Sequence, residues 1–310
     1  MSDDMCKDEE LGVIWGNHPQ TSSSQRAAFW KAVSDKKDSA LAYDVSKLGT
    51  YKGAVGSYDI PLLHRYPIMA KRRRKSPLET QIQEEECEEL KKVGLIIPAP
   101  TNCQYASECV LPVKKDADGN YTDRRFCVDY REINSATEAD KYGLHRPEQI
   151  FKDIEGNGFF TKMESWFPSN RSKKEDQPKT AFWWKNQIYM YTRMPFGLRN
   201  ATAHFQRVMD HEICKAGLQK NCASFVDDIL IHSKTADEHL KHFKQVLEML
   251  IECGLKTHPD KTVICANVVE FLGHNVSELG LPPSEAKVAA VRNLKPPTNV
   301  SEMRSVLGYI

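Results

Sequence analysis

Two adjacent aspartates, Asp227 and Asp228, stand between two apolar runs in residues 222–233, CASFVDDILIHS. Runs of this length and composition read as short buried strands. Burying one bare carboxylate is expensive, and burying two side by side is worse. A strand sends successive side chains to opposite faces, so both carboxylates converge only where the chain bends. A tight hairpin would do that, and would also expose them. Two readings are therefore open. One is a solvated Asp-Asp at a hairpin tip. The other is a pair of hard oxygen ligands for Mg²⁺ (or Mn²⁺), a cation that takes one or two carboxylates plus substrate phosphates. Two such metals about 3.5–4 Å apart can drive in-line attack on a phosphate. Two carboxylates alone make a thin site, so a third ligand is expected from another strand.

The bulk of the chain bounds what surrounds this pair. Its 310 residues fit one large domain or two ordinary ones. A net charge of +1 predicts no nucleic-acid partner from global charge alone. Local charge says more: a compact basic run, KRRRK at 71–75, precedes an acidic one, EEECEE at 84–89, which reads as solvated surface. Nine cysteines are scattered without a CxxC pair, which suggests free thiols in a reducing compartment. No apolar run is long enough to span a bilayer, and the acidic N-terminus is not a signal peptide. The expectation is an intracellular protein, cytoplasmic or nuclear, with no membrane partner.

Local signals place the elements. Residues 1–57 are weakly patterned, with one helix expected around SSSQRAAFWKAV, and read as a leader or linker. SPLE at 76–79 is a capping box, with Ser76 at the N-cap, Pro77 first in the helix and Glu79 third; Gly94 is the stop. Residues 109–134 carry two strand-like runs around a turn at Asp118-Gly119, a hairpin with Lys114, Lys115, Arg124 and Arg125 near its tip. Four cations at one turn suit a phosphate-facing finger. MPFG at 194–197 is a turn, Asn200 is the cap of a following helix, and TADE at 235–238 opens another that Gly254 ends. His204 and His232 read as packing residues rather than ligands. The order implies an α+β fold, an antiparallel sheet covered by helices on one face.

At this point four stretches fall into one order: RRFCVDYREIN, MPFGLRNATAHFQ, FVDD and VEFLGHNVSELGLPPSEAKV. Together they resemble the reverse transcriptase domain of gypsy-class (Ty3-like) long-terminal-repeat retrotransposons, over about 58–310. The resemblance implies a right-hand polymerase fold: fingers and palm over 58–283, and a truncated start of the thumb over 284–310. It implies an RNA-directed DNA polymerase acting on an RNA or DNA template-primer with deoxynucleoside triphosphates and Mg²⁺. By the same likeness Asp227 and Asp228 are the paired palm aspartates. Lys114 and Arg125 would contact the incoming triphosphate, and Phe196 and Gly197 would line the nucleotide pocket.

This copy departs from the family at the third metal ligand. The family's palm strand usually reads Lys-x-Asp-Leu-x-Ser-Gly-Phe/Tyr-His-Gln-Ile, whereas here the run is TKMESWFPSN at 161–170. Aligned backwards from KTAF, the Asp-Leu dipeptide is missing after Met163, and WFPSN replaces Gly-Phe-His-Gln-Ile. One inserted T before GGT TTC CAT CAA ATC reads TGG TTT CCA TCA AAT, which is Trp-Phe-Pro-Ser-Asn. A short frameshifted window explains the segment, and genomic DNA without a shifted frame over these codons would refute it. A two-residue deletion keeps strand parity, so Glu164 is the candidate substitute ligand, one methylene too long. The expectations are an impaired polymerase, or else a catalytically dead nucleic-acid-binding remnant; a phosphohydrolase built on the Asp pair is the third reading.

Overall fold

The runs flanking the aspartates form the strands Cys222–Phe225 and Asp228–Ser233, paired antiparallel with Phe225 opposite Asp228. Only Val226 and Asp227 remain for the turn. In this computed structural model the described residues are 5–278 except 65, 116–120, 125 and 166–169; the side chains of 114, 115 and 121–123 also lie outside the description. The segment 284–310, expected to begin a thumb, lies outside it as well.

The hairpin forms one edge of a six-stranded sheet. From the other edge the order is Cys6–Lys7, Ile14–Trp15, Val263–Ala266, Phe159–Glu164, Asp228–Ser233 and Cys222–Phe225. The expectation of a wholly antiparallel sheet needs one correction. Val263–Ala266 runs parallel to Ile14–Trp15, because the N-terminal segment supplies the outer strands. Residues 1–57 looked like a leader, yet Leu11, Val13 and Phe29 are buried in the main core. Their strands are two residues long, too short for an alternation to show in sequence.

Strand alternation explains the layers. Phe159, Met163, Ile229 and Ile231 point into the main core, under the helices Ala201–Lys215 and Ala236–Cys253. Phe160 and Leu230 point the other way. They meet the helix Pro147–Ile154 and the hairpin Val268–Phe271 with His274–Ser277. Helices therefore cover both faces, not one. Glu164 and Asp228 stand on this second face, at the end of their strand pair.

Capping signals held well. Ser76 accepts from Glu79 N–H, and the Glu79 carboxylate accepts from Ser76 N–H, opening the helix Pro77–Lys92. Glu79 also pairs with Arg124 at 2.7 Å, which ties this helix to the strand Tyr121–Arg124. Ser76→Ala is expected to cost about 1 kcal/mol, read as a lower urea midpoint; an unchanged midpoint would show that the box carries no stability. Thr235 caps the helix Ala236–Cys253 at its start. Gly254 ends it at φ +77, against the Thr50 carbonyl, where a Cβ would lie 2.1 Å away. Asn200 departs from expectation. It occupies the N-cap position, but its side chain bonds Asp140 N–H and Glu138 O instead of the helix.

The hairpin expected over 109–134 is present. Glu108–Val110 pairs with Cys127–Asp129, and Val113–Lys115 with Tyr121–Arg124. The Asp118-Gly119 tip lies outside the described residues. A second hairpin, Phe182–Trp184 with Gln187–Tyr191, joins Ile96–Pro98 around Cys87, Cys109 and Phe182. Part of the basic run serves this packing. Lys75 pairs with the buried Glu108 at 2.6 Å, and Arg72 lies over the Trp183 ring at 5.5 Å. Lys71, Arg73 and Arg74 are exposed.

Candidate active site

The Asp pair sits on the tight bend that its sequence required. Val226 and Asp227 fill a two-residue turn, and Val226 has φ +53. A β-branched residue in the left-handed region is strained, by about 1–3 kcal/mol. Two hydrogen bonds hold the turn in place. Val226 N–H donates to Gln206 Oε1 at 2.9 Å, and Ser165 N–H donates to Asp227 O at 2.8 Å. Gln206 is fully buried on the helix behind the hairpin.

Glu164 lies directly opposite Asp228 across the Phe159–Glu164 and Asp228–Ser233 pair. Directly opposed residues share a face, so parity is preserved as the sequence implied. The Glu164 carboxylate, however, is bonded to Lys261. Lys162, two residues earlier on the same face, reaches Asp228 Oδ1 at 3.3 Å. Asp227 Oδ1 is buried without a hydrogen-bond partner among the described residues.

Burial, reinforced by the Glu164 and Asp228 charges, pushes the Asp227 carboxyl up to about 6. Asp228 is also raised, chiefly by burial, against the pull of Lys162. Repulsion among the carboxylates and an unpartnered oxygen make a hard cation welcome at the turn. Asp227 and Asp228 fit such a cation as donors. Among the described residues, no group of three or more His, Cys, Asp or Glu is arranged to hold a metal ion.

The other expected site residues stand on the MPFG turn or lie outside the description. Arg125 and the Lys114 side chain are outside the described residues. Phe196 is exposed, and Gly197 adopts φ +89 with Tyr130 3.7 Å from where its Cβ would be. Asn134 Nδ2 donates to Gly197 O at 2.8 Å, and Asn134 Oδ1 accepts from Arg199 N–H. The VDYREIN and MPFG stretches, distant in sequence, are thereby joined. Met194 is fully buried in the main core.

A family model for reverse transcriptase (RNA-dependent DNA polymerase) matches residues 113–276, which include both strands of the carboxylate face and the turn. The chain belongs to the reverse transcriptase family. Its relatives include the retrovirus-related Pol polyproteins from transposons 297 and gypsy of Drosophila melanogaster. The first is 35% identical over 79% of this chain, the second 33% over 72%. A Tf2-3 transposon polyprotein of Schizosaccharomyces pombe is 34% identical over 60% of the chain. The chain spans only 23%, 22% and 14% of those three polyproteins. These relatives are transposon polyproteins, and this chain matches only a part of each.

The fold agrees. A foamy viral protease–reverse transcriptase in complex with double-stranded DNA superposes with a TM-score of 0.78 at 20% identity, covering 94% of this chain and 59% of that one. The same protein in complex with an RNA/DNA hybrid gives 0.76, again at 20% identity, covering 94% and 38%. The right-hand polymerase architecture expected from the four motifs is thus the one observed. No helix among the described residues is long and apolar enough to cross a membrane.

Three residues that contact the carboxylates or their turn escaped the sequence reading. Lys162 was legible in principle, since it shares a strand face with Glu164. Lys261 was not, because it arrives from an element remote in sequence; Gln206 stood inside the MPFGLRNATAHFQ stretch, but no local pattern links it to Val226.

Proposed function

We propose that this chain is an RNA-directed DNA polymerase domain whose activity is strongly reduced by the missing third carboxylate. Asp227 and Asp228 would hold the divalent cation. When bound, Mg²⁺ (or Mn²⁺) supplies activation of the primer 3′-hydroxyl and charge neutralisation at the leaving oxygen. Lys114 and Arg125 would bind the triphosphate of the deoxynucleotide, and Phe196 and Gly197 would border its pocket. Residues 58–283 would form fingers and palm, and 284–310 the start of a thumb. The observation that carries the reading is the register of Glu164 against Asp228, with Lys261 on the Glu164 carboxylate. The position the third ligand should take is filled by a longer side chain already engaged by a cation.

The second reading is a nucleic-acid-binding remnant that does not polymerise. It is favoured by the two lysines, which already neutralise Asp228 and Glu164. A phosphohydrolase would need further ligands, and the described residues supply no such cluster.

Both leading readings require a template-primer surface. Binding of an RNA/DNA hybrid oligonucleotide, followed by fluorescence anisotropy, is expected to survive Asp227→Ala unchanged or slightly tightened. It should weaken about 10³-fold or more between 50 and 200 mM salt if six or more phosphates are contacted. Absence of binding at low salt would refute both readings at once.

A further inference from the structure

Behind the strained turn, a chain of hydrogen bonds runs to the protein surface. Gln206 Oε1 accepts from Val226 N–H at 2.9 Å. Its Nε2 donates to Ser224 Oγ at 3.0 Å, to Ser224 O at 3.2 Å and to Asp210 Oδ1 at 2.8 Å. Asp210 Oδ1 also accepts from His145 Nε2 at 2.9 Å, and Asp210 Oδ2 from the Tyr142 hydroxyl at 2.7 Å. One turn back on the same helix, Arg207 grips both oxygens of Asp140 and lies over the Tyr142 ring at 4.7 Å.

We infer that Asp210 is a positioning residue for the Asp227–Asp228 turn, acting through the orientation of the Gln206 side chain. This inference rests on the reading of that turn as the catalytic centre. A glutamine amide has one end that accepts and one that donates. An ionised aspartate only accepts. Asp210, at the shorter distance, together with the Ser224 carbonyl draws the Nε2 end inward, and Oε1 is left facing Val226 N–H. If the amide turned over, its NH₂ would meet the Val226 N–H donor to donor, and the bond would be lost. Val226 at φ +53 depends on that bond. Released from it, Val226 returns to an ordinary conformation and carries the Asp227 carboxylate with it. Tyr142 and His145 hold Asp210 from outside, so the segment around 140–145 is coupled to the turn.

Amide hydrogen exchange on the full-length chain, with no nucleotide, primer or metal present, tests this directly. Asp210→Leu is expected to speed exchange at Val226 by about tenfold or more, as loss of a charge-assisted hydrogen bond implies. Exchange at Ile229, Leu230 and Ile231 should stay as in the parent. Asp210→Asn keeps an acceptor oxygen for Gln206 and should retain most of the protection, and Gln206→Ala should match Asp210→Leu. Unchanged exchange at Val226 would overturn the proposal. So would a rise spread evenly over the whole sheet, which would mark Asp210 as a general stabiliser. If Asp210→Leu does not fold, the outward double variant Tyr142→Phe/His145→Ala should give a smaller rise confined to Val226, and no rise there would equally overturn it. Failure of the catalytic reading would show in primer extension alone and leave this exchange pattern intact.

Discussion

Inserting Asp-Leu after Met163 and restoring Gly-Phe-His-Gln-Ile in place of residues 166–170 is expected to raise primer extension about a thousandfold or more. The size follows from what a metal ligand supplies. Losing one forfeits several kcal/mol of transition-state stabilisation, and each 1.36 kcal/mol is tenfold in rate. The location follows from the register. An aspartate placed directly after Met163 would take the position now held by Glu164, opposite Asp228 and on the face shared with Lys162. The two-residue insertion keeps the alternation of everything after it. Its carboxylate would be one methylene shorter than that of Glu164, and a misplacement near 1 Å can cost about 100-fold. Extension on an oligo(dT)-primed RNA with Mg²⁺ measures the gain. Adding Asp227→Ala to the repaired chain should return it to background.

The second large effect is acid instability. His204, His232 and His239 are buried, and burial holds them at about 4, 4 and 3. His239 sits between Thr161 Oγ1 and Ser233 Oγ, and His204 packs edge-on against Tyr58. In the unfolded chain each would titrate near 6.5. Their folded values are depressed, so their stabilisation is complete above about pH 6.5. Below it the unfolded chain takes up protons that the native state refuses, and stability falls until the folded values are passed. At about 1.36 kcal/mol per unit, the three together are worth on the order of 10 kcal/mol, comparable to a whole domain's stability. Asp227 works the other way. Its raised carboxyl costs stability at neutral pH and recovers it as pH falls through about 6, offsetting part of one histidine. Urea titrations from pH 7.5 down to 4 should show the midpoint dropping steeply below 6.5. His232→Phe should flatten that slope. A midpoint constant between pH 7 and 4.5 would contradict the burial of these rings.

The parts of this fold written in local chemistry were readable in the sequence. Ser76, Glu79, Thr235 and Gly254 mark helix ends because caps act over three or four residues. The apolar run in DILIHS marked a strand, and the double aspartate pointed to a bend. Three features were not readable, for physical reasons. Ile14–Trp15 joins the sheet through contacts with Val263–Ala266, far along the chain, and two residues carry no period. Asn200 looked like a cap because its type suits one, but Glu138 and Asp140 outcompete the helix for its amide. Lys261 and Gln206 meet Glu164 and the carboxylate turn only in three dimensions. The family was legible from four motifs in order, whereas the charge balance around the Asp pair came from the structure.

The most direct test of the central claim compares the chain as written with its Glu164→Ala variant in the primer-extension assay, with Mg²⁺ and then Mn²⁺. Glu164 is expected to be an engaged bystander, bonded to Lys261 rather than completing the metal site, so both proteins should extend at background. If the chain as written extends the primer and Glu164→Ala stops it, Glu164 is the third ligand and the account of an impaired polymerase is wrong.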